Sequence, residues 1–255
     1  MFKIVHYTLD FCSKMDEWLP HSRNVCVAVR FRPLSPAEYE VEGVNPLDPY
    51  AQSISSPSAS LWTLNYQNIP SVIDKTKGHS YIYDYVFDET IPNEQVFNFL
   101  ARDIVHGSVK GVNGTIFAYG QTSSGKTYTM LGNEDESEPG IIIRSVSEVF
   151  KLIHSAEESE FTVKLSFLEV YNEKLIDLMA MAQNPVAAAS KDICIGETTH
   201  GSLEIRNLDV KCVTCPEEVF KVIKMGERVK HATGTVLNER SSRSHTILRL
   251  RIESK

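Results

Sequence analysis

The stretch that decides the fold is residues 117–130, which read FAYGQTSSGKTYTM. Its centre, GQTSSGKT at 120–127, fits the pattern G-x-x-x-x-G-K-[ST]. Glycines at the two ends allow backbone N–H groups to turn inward around phosphate oxygens, where a Cβ atom would collide. The lysine supplies a positive charge for β- and γ-phosphates, and the final hydroxyl suits Mg²⁺. The stretch therefore predicts a phosphate-binding loop.

The sequence on either side of this loop supports the same interpretation. The run GTIFAYG at 114–120 is short and apolar and predicts a buried strand, and a helix-forming run follows the loop. A helix that begins here would add the positive end of its dipole. This context favours a nucleoside triphosphate site over a glycine turn with an incidental lysine. The candidate ligand contacts are Gly120, Gln121, Thr122, Ser123, Ser124, Gly125, Lys126 and Thr127, with Thr127 also the candidate Mg²⁺ ligand.

Hydrophobic periodicity along the rest of the chain predicts alternating strands and helices. Apolar and polar residues alternate in the strand segments 24–34, 81–90, 161–173 and 244–255, and helical spacing marks 93–111, 140–156 and 216–233. This order is typical of an α/β fold. Residues 35–80 are rich in Ser, Pro and Asn and predict a surface insertion, and residues 1–22 are interpreted as an appendage of unknown role.

Composition excludes several classes of protein. The 255 residues are 42% hydrophobic with a net charge of −7, which is ordinary for a globular protein and argues against a general nucleic-acid binder. No apolar run approaches the length of a membrane span. Five scattered cysteines argue against a disulfide framework and favour a reducing compartment. The run CVTC at 212–215 has metal-ligand spacing but lacks a second pair for a zinc site.

Four motifs in order resemble the kinesin motor domain: RFRP at 30–33, the loop stretch at 117–130, EVYNE at 169–173 and NERSSRSH at 238–245. The resemblance covers residues 23–255. It implies a P-loop NTPase-like three-layer α/β sandwich with a mixed central sheet. It also implies ATP and Mg²⁺ as ligands and microtubules, that is tubulin, as the partner, with no nucleic acid or membrane. The implied location is the cytoplasm and cytoskeleton, and the implied full-length protein dimerises through a stalk outside this chain.

The resemblance also implies roles for residues outside the loop. Arg30 and Pro33 would flank the adenine, and Phe97 would place an aromatic ring against it. From the residues alone, Phe97 is equally well explained as a core residue of its helix. The switch loop that senses the γ-phosphate would supply the catalytic residues Asn238, Ser241, Ser242 and Arg243, with Ser242 completing the Mg²⁺ shell.

The chain departs from the family pattern by ending at Lys255, before a second switch with its Asp-Leu-Ala-Gly-like motif. We therefore expect a motor domain truncated after the first switch, without the acid that holds Mg²⁺ through water or the carboxylate partner of Arg243. A missing central strand would leave two inner sheet edges unpaired.

The leading hypothesis is an ATP-dependent microtubule motor. The departure favours an alternative for this chain, a nucleotide- or tubulin-binding module without turnover. Another P-loop enzyme, such as a small-molecule kinase, lacks an acceptor-site signature here.

Overall fold

The computed structural model describes residues 2–9, 25–34, 62–66, 69–156, 159–197, 203–234 and 244–255. The chain divides into two compact units, Met1–Val149 and Phe150–Lys255. None of the helices in these described ranges is both long and apolar enough to cross a membrane.

The first unit combines strands with short helices. Its strands are β1 (Phe2–Leu9), β2 (Val25–Arg30), β3 (Trp62–Asn65), β4 (Ser71–Asp74), β5 (Ser80–Ile82), β6 (Tyr85–Phe87) and β7 (Asn113–Tyr119). Its helices are α1 (Asn93–Leu100), α2 (Arg102–Val109) and α3 (Lys126–Met130), and α4 (Ile141–Ser155) contains the division between the units.

The main sheet of the first unit has the strand order β6-β2-β1-β7. Strands β2 and β6 are parallel, whereas β1 is antiparallel to both of its neighbours, so the sheet is mixed. Val5 in β1, for example, pairs with Val27 in β2 and with Phe117 in β7. The segment interpreted from sequence as an appendage therefore includes a strand that joins β2 to the strand leading into the phosphate loop.

The strand predicted over 81–90 is divided between two sheets. Strand β5 pairs with β4 in the antiparallel sheet β3-β4-β5, whereas β6 pairs with β2 in the main sheet. The chain changes sheets at Tyr83 and Asp84, where the Tyr83 N–H donates to Pro70 O and the Asp84 carboxylate accepts from the Val27 N–H at 2.8 Å. Alternation with a period of two is the same in either sheet, so the sequence pattern contains no sign of the change.

The predicted surface insertion at 35–80 contributes its last part to the core. Residues 35–61 lie outside the described part of the chain, but β3, β4 and the start of β5 fall within the rest of the insertion. Val72 in β4 is buried in a cluster with Val29, Phe31, Tyr83 and Val86. Burying a side chain of this kind contributes about 1.5–3 kcal/mol to stability. This cluster supports the β2 strand end from which the RFRP motif begins.

The helix predicted over 93–111 is two helices. Helices α1 and α2 are separated at Ala101, whose φ and ψ of −107° and −28° interrupt the regular helix. Gly111 follows α2 with φ of +92°, a left-handed conformation that favours glycine and ends the helical run. The buried residues of α1, Asn93, Val96, Phe97 and Leu100, follow helical spacing.

The second unit is built around the long strand β8 (Phe161–Tyr171). Strands β9 (Lys174–Asp177), β12 (Lys211–Val213) and β13 (His245–Ser254) all pair with β8 in antiparallel orientation, and β10 (Cys194–Glu197) pairs with β11 (Leu203–Arg206). The helices are α5 (Leu178–Gln183), α6 (Pro185–Ala189) and α7 (Pro216–Gly234). Gly226 lets α7 approach β8, since a Cβ there would lie 2.3 Å from the Phe167 ring.

Strands β7 and β13 each end a sheet. In the part of the chain that the structure describes, β7 pairs only with β1 and β13 pairs only with β8. The prediction that 114–120 forms a buried strand is wrong, since Phe117 and Tyr119 in β7 are 37% and 68% exposed. Ile247 in β13 is 45% exposed. An open sheet edge beside exposed apolar side chains favours pairing with another chain.

We expect Ile247→Lys to reduce self-association of residues 1–255 without lowering the melting temperature, because a lysine on an open edge strand opposes pairing between chains. Light scattering and thermal melting measure the two effects. The matched control is Val186→Lys, which adds the same charge to α6 at a side chain that is 83% exposed. Equal effects of the two variants would show that net charge, and not the open edge of β13, governs association.

Candidate nucleotide-binding site

The predicted phosphate loop connects β7 to α3 within the first unit. Ser123 has φ of +62° and Gly125, directly before the helix, has φ of +98°. Left-handed residues that alternate with ordinary ones turn consecutive N–H groups toward one side, which forms an anion-binding concavity. Gln121, Thr122, Ser123 and Thr127 are exposed. The loop therefore has the backbone shape that the sequence motif predicts.

Lys126 folds back across this loop. Its Nζ donates to the carbonyl oxygens of Gly120 at 2.8 Å and Gln121 at 2.6 Å. Partial burial lowers the pKa of the Lys126 ammonium from its ordinary value. The cation therefore lies within the loop, in reach of an anion that the loop's N–H groups would bind.

Ser124 is the one buried side chain among the loop residues 120–127. It is 1% exposed, and its Oγ makes no hydrogen bond to the residues that the structure describes. A buried hydroxyl without a partner costs about 1–3 kcal/mol. A polar ligand in the loop suits this residue better than an apolar one, which agrees with the phosphate-binding interpretation.

The helix after the loop is shorter than the sequence suggests. Helix α3 has five residues and ends at Met130, and Gly132 then adopts φ of +103°. A Cβ at Gly132 would lie 2.3 Å from Glu138 O, so the chain turns back sharply here. With so short a helix, the loop's own N–H groups and Lys126 are stronger candidates for anion binding than a helix dipole.

A cavity of about 340 Å³ lies beside the loop, between the RFRP segment and α3. It is lined by Arg30, Phe31, Arg32, Pro33, Glu89, Gly125, Tyr128 and Thr129. Because Gly125 belongs to the phosphate loop and lines the cavity, the cavity reaches the loop. A base could occupy the cavity while its phosphates extend along the loop.

Arg30 forms one wall of the cavity, although only 4% of it is exposed. Its guanidinium donates to Thr129 Oγ1 and to Ile91 O, both at 2.8 Å, and to Asn93 Oδ1. It also lies 5.3 Å from the centroid of the Tyr128 ring, in a cation–π arrangement. Desolvation lowers the pKa of Arg30. The guanidinium is thus held in the wall of the cavity by protein groups.

Arg32 connects the cavity to the phosphate loop. Its Nε donates to Ser123 O at 2.7 Å, and its Nη1 donates to Pro33 O at the same distance. Ser123 is one of the loop's left-handed residues, so this contact holds the loop at a residue with an unusual backbone conformation. The RFRP motif and the phosphate loop are therefore joined by a direct hydrogen bond.

The structure brings together most of the residues predicted from sequence but not all. Arg30 and Pro33 lie at the cavity beside Gly125. Phe97 is 6% exposed, is buried with the other core residues of α1 and is not among the residues that line the cavity. The geometry therefore favours the core explanation of Phe97.

The four switch residues, Asn238, Ser241, Ser242 and Arg243, lie outside the described residues, and their roles stay predictions.

Sequence reasoning missed five residues that line the cavity: Phe31 and Arg32 within the RFRP motif, and Glu89, Tyr128 and Thr129 outside it. Tyr128 had a usable signal, because it follows the G-K-T sequence directly and is an aromatic side chain on the helix after the loop. Glu89 and Thr129 had none, since their place depends on how β6 and α3 meet.

The CVTC motif gains no support from its surroundings. Cys212 is exposed, Cys215 is half-buried, and neither is in a disulfide. Among the residues that the structure describes, no group of three or more His, Cys, Asp or Glu side chains could hold a metal ion.

Comparison with known proteins places the chain in a family. The family model of the kinesin motor domain matches residues 30–255. The chain is 38% identical over 234 residues to kinesin-like protein KIN-7N of Arabidopsis thaliana and 40% identical over 229 residues to kinesin-related protein 4 of Dictyostelium discoideum. It is also 35% identical over 231 residues to human centromere-associated protein E. These alignments cover 91%, 89% and 91% of this chain but only 25%, 11% and 8% of the relatives.

A solved structure described as that of a fast kinesin is similar in three dimensions, with a TM-score of 0.74 and 30% sequence identity. The match covers 89% of this chain and 59% of the solved chain. It confirms the α/β, P-loop NTPase-like fold class that the sequence predicts. Because the family model covers most of the chain and the fold agrees with it, the chain belongs to the kinesin motor domain family.

Proposed function

We propose that this chain binds ATP with Mg²⁺ at the loop 120–127, and that the protein to which it belongs couples ATP hydrolysis to movement along microtubules. The observation that carries the proposal is the continuity between the Lys126 loop and the cavity beside Arg30, both within the first unit. Kinesin motor domains bind nucleotide with Mg²⁺, and this chain belongs to that family. The proposed location is the microtubule cytoskeleton.

In this proposal the base lies in the cavity against Arg30, Pro33 and Tyr128, and the phosphates follow the loop. Aromatic and guanidinium surfaces suit the flat face of a purine. The Lys126 ammonium pairs with the β- and γ-phosphates, and the Thr127 hydroxyl holds Mg²⁺. When bound, Mg²⁺ neutralises charge that develops on the phosphate oxygens during transfer.

The hydrolytic step is assigned to the switch residues. One of the adjacent hydroxyls, Ser242, completes the Mg²⁺ shell, and Ser241 positions the attacking water. Arg243 latches the switch when the γ-phosphate is present, and Asn238 belongs to the same γ-phosphate-sensing loop. Loss of the γ-phosphate releases such a loop, which is how a local event at the site becomes movement.

A nucleotide- or tubulin-binding module without turnover is the rival to this proposal. Assays of nucleotide release and of phosphate release, each with and without microtubules, separate the two functions. Stimulated phosphate release supports the motor, whereas tight nucleotide or microtubule binding without phosphate release supports the module.

We expect Lys126→Ala to weaken ATP binding by about 100-fold, because the loop loses its side-chain cation and a charged hydrogen bond contributes roughly 1.5–3 kcal/mol. Fluorescent-nucleotide titration measures the affinity. Lys75→Ala, which removes an exposed lysine from the turn between β4 and β5, is the control and should bind ATP like the parent. Unchanged affinity in Lys126→Ala would contradict the phosphate-loop assignment.

Thr127→Ala should weaken ATP binding when Mg²⁺ is present and leave it nearly unchanged in excess chelator, because the hydroxyl contacts the ion and not the phosphates. We expect the affinity for ATP in Mg²⁺ to fall about tenfold, which corresponds to roughly 1.4 kcal/mol of binding free energy. Paired titrations in Mg²⁺ and in chelator give the comparison. Thr127→Ser retains the hydroxyl and should restore Mg²⁺-dependent affinity, and its failure to do so would assign the effect to packing.

Ser242→Ala and Arg243→Ala, made separately in a version of the protein that extends through the second switch, should keep nucleotide affinity and lose turnover by about 100-fold. These residues act on the γ-phosphate, and removing one such stabilising group typically costs a rate of about this size. Steady-state ATPase assays and nucleotide titration separate rate from affinity. Ser254→Ala and Arg249→Ala, at exposed residues of β13, are the matched controls. If either switch variant hydrolyses ATP at the parental rate, the role proposed for that residue is wrong.

A further inference from the structure

Asn93, the first residue of α1, is fully buried and does not line the base cavity. Sequence analysis assigned it no role. Three parts of the first unit nevertheless meet at its side chain: the end of β2, helix α3 and the connection that follows α3. A buried amide is retained only where its donors and acceptor are all used, so its partners indicate what it does.

The Asn93 side chain uses both of its polar ends. Its Oδ1 accepts from Arg30 Nη1, and its Nδ2 donates to Tyr128 O at 3.1 Å and to Glu138 O at 3.4 Å. The backbone N–H of Asn93 donates to Glu138 Oε1 at 2.8 Å. That carboxylate also lies 3.8 Å from the guanidinium of Arg144, which holds it from the other side.

Two of the three hydrogen-bond partners of Asn93 are themselves walls of the cavity. Arg30 and Tyr128 line it, and Arg30 also donates to Thr129 Oγ1, a third lining residue. The cation–π distance of 5.3 Å between Arg30 and Tyr128 depends on both groups keeping their place. Asn93 accepts from the Arg30 guanidinium and donates to the backbone carbonyl of Tyr128, so it ties Arg30 to the part of the α3 backbone that carries the Tyr128 ring.

None of these contacts reaches the phosphate side of the site. Lys126 donates to Gly120 and Gln121, and Ser123 accepts from Arg32. The hydrogen bonds that Asn93 makes go to Arg30, Tyr128 and Glu138, and not to Lys126 or Ser123. Loss of the Asn93 side chain therefore disturbs the base side of the site and leaves the loop's own contacts in place.

We propose that Asn93 is a positioning residue for nucleotide recognition, which holds Arg30 and the Tyr128 backbone in place as neighbouring walls of the base cavity. The inference rests on the proposed nucleotide function of the site. It predicts that Asn93 contributes to the affinity for the base and not to the affinity for the phosphates.

The test compares ATP with inorganic tripolyphosphate, which carries the phosphates without a base, by competition against a fluorescent nucleotide up to millimolar concentrations. Asn93→Leu keeps the approximate size of the side chain and removes its hydrogen bonds. We expect ATP affinity to fall by 10- to 100-fold in this variant and tripolyphosphate affinity to change by less than twofold. Asn93→Asp keeps the acceptor for Arg30 but loses the two donors, and it should show a smaller loss with the same selectivity for the base.

Val96→Ala is the matched control, because Val96 is fully buried one turn along the same helix and its truncation lowers stability without touching the network. It should lower the melting temperature and keep the parental affinities. Equal losses of ATP and tripolyphosphate in both Asn93 variants, or no loss in either, would overturn the inference. If Asn93→Leu does not fold, Asn93→Asp decides the question alone. A parent protein that binds neither ligand would overturn the proposed function as well.

Discussion

The buried guanidinium of Arg30 is the constraint on which the nucleotide-binding unit depends. Removing a charge from water costs several kcal/mol unless its donors are satisfied. Here the three acceptors are neutral, namely Asn93 Oδ1, Thr129 Oγ1 and Ile91 O, and the nearby negative charge of Glu138 favours the charged form. These acceptors come from two separate segments of the chain, the start of α1 with the residues just before it, and α3. Satisfying one charge therefore fixes the end of β2 against α1 and α3.

This arrangement explains how helix α3 is stabilised although it has only five residues. An isolated helix of this length has no stability of its own, because one turn fixes several backbone angles for a single hydrogen bond. Thr129 is fully buried and bonded to Arg30, and the Tyr128 carbonyl accepts from Asn93. The second half of this short helix is thus held by tertiary contacts at two consecutive residues, Tyr128 and Thr129.

The sequence predicts the parts of this unit that depend on local pattern. The glycine spacing of 120–127 predicts a turned loop, and the positive φ at Gly125 confirms one. Alternation and helical spacing likewise predict β8, α4 and α7.

What sequence does not predict is contact over distance. Arg30 meets partners 63 and 99 residues away, and no period or motif connects those positions. The exposure of β7 has the same origin, because an apolar strand is buried only when other elements cover it, and the strand's own composition does not show whether they do.

The hydrogen bond from Arg32 to Ser123 O has a consequence for how the two ends of a nucleotide are bound. It joins the proposed base cavity to the phosphate loop, so that the two form one frame for a ligand. In such a frame, binding of one end raises the effective concentration of the other, as in a chelate, so the intact ligand gains affinity beyond the sum of its fragments. In the proposed site, a molecule whose base and phosphates are joined by a spacer of the right length would therefore bind more tightly than its separate parts. A ribose is such a spacer, and the preorganised frame avoids most of the entropic cost of bringing the two subsites together after binding.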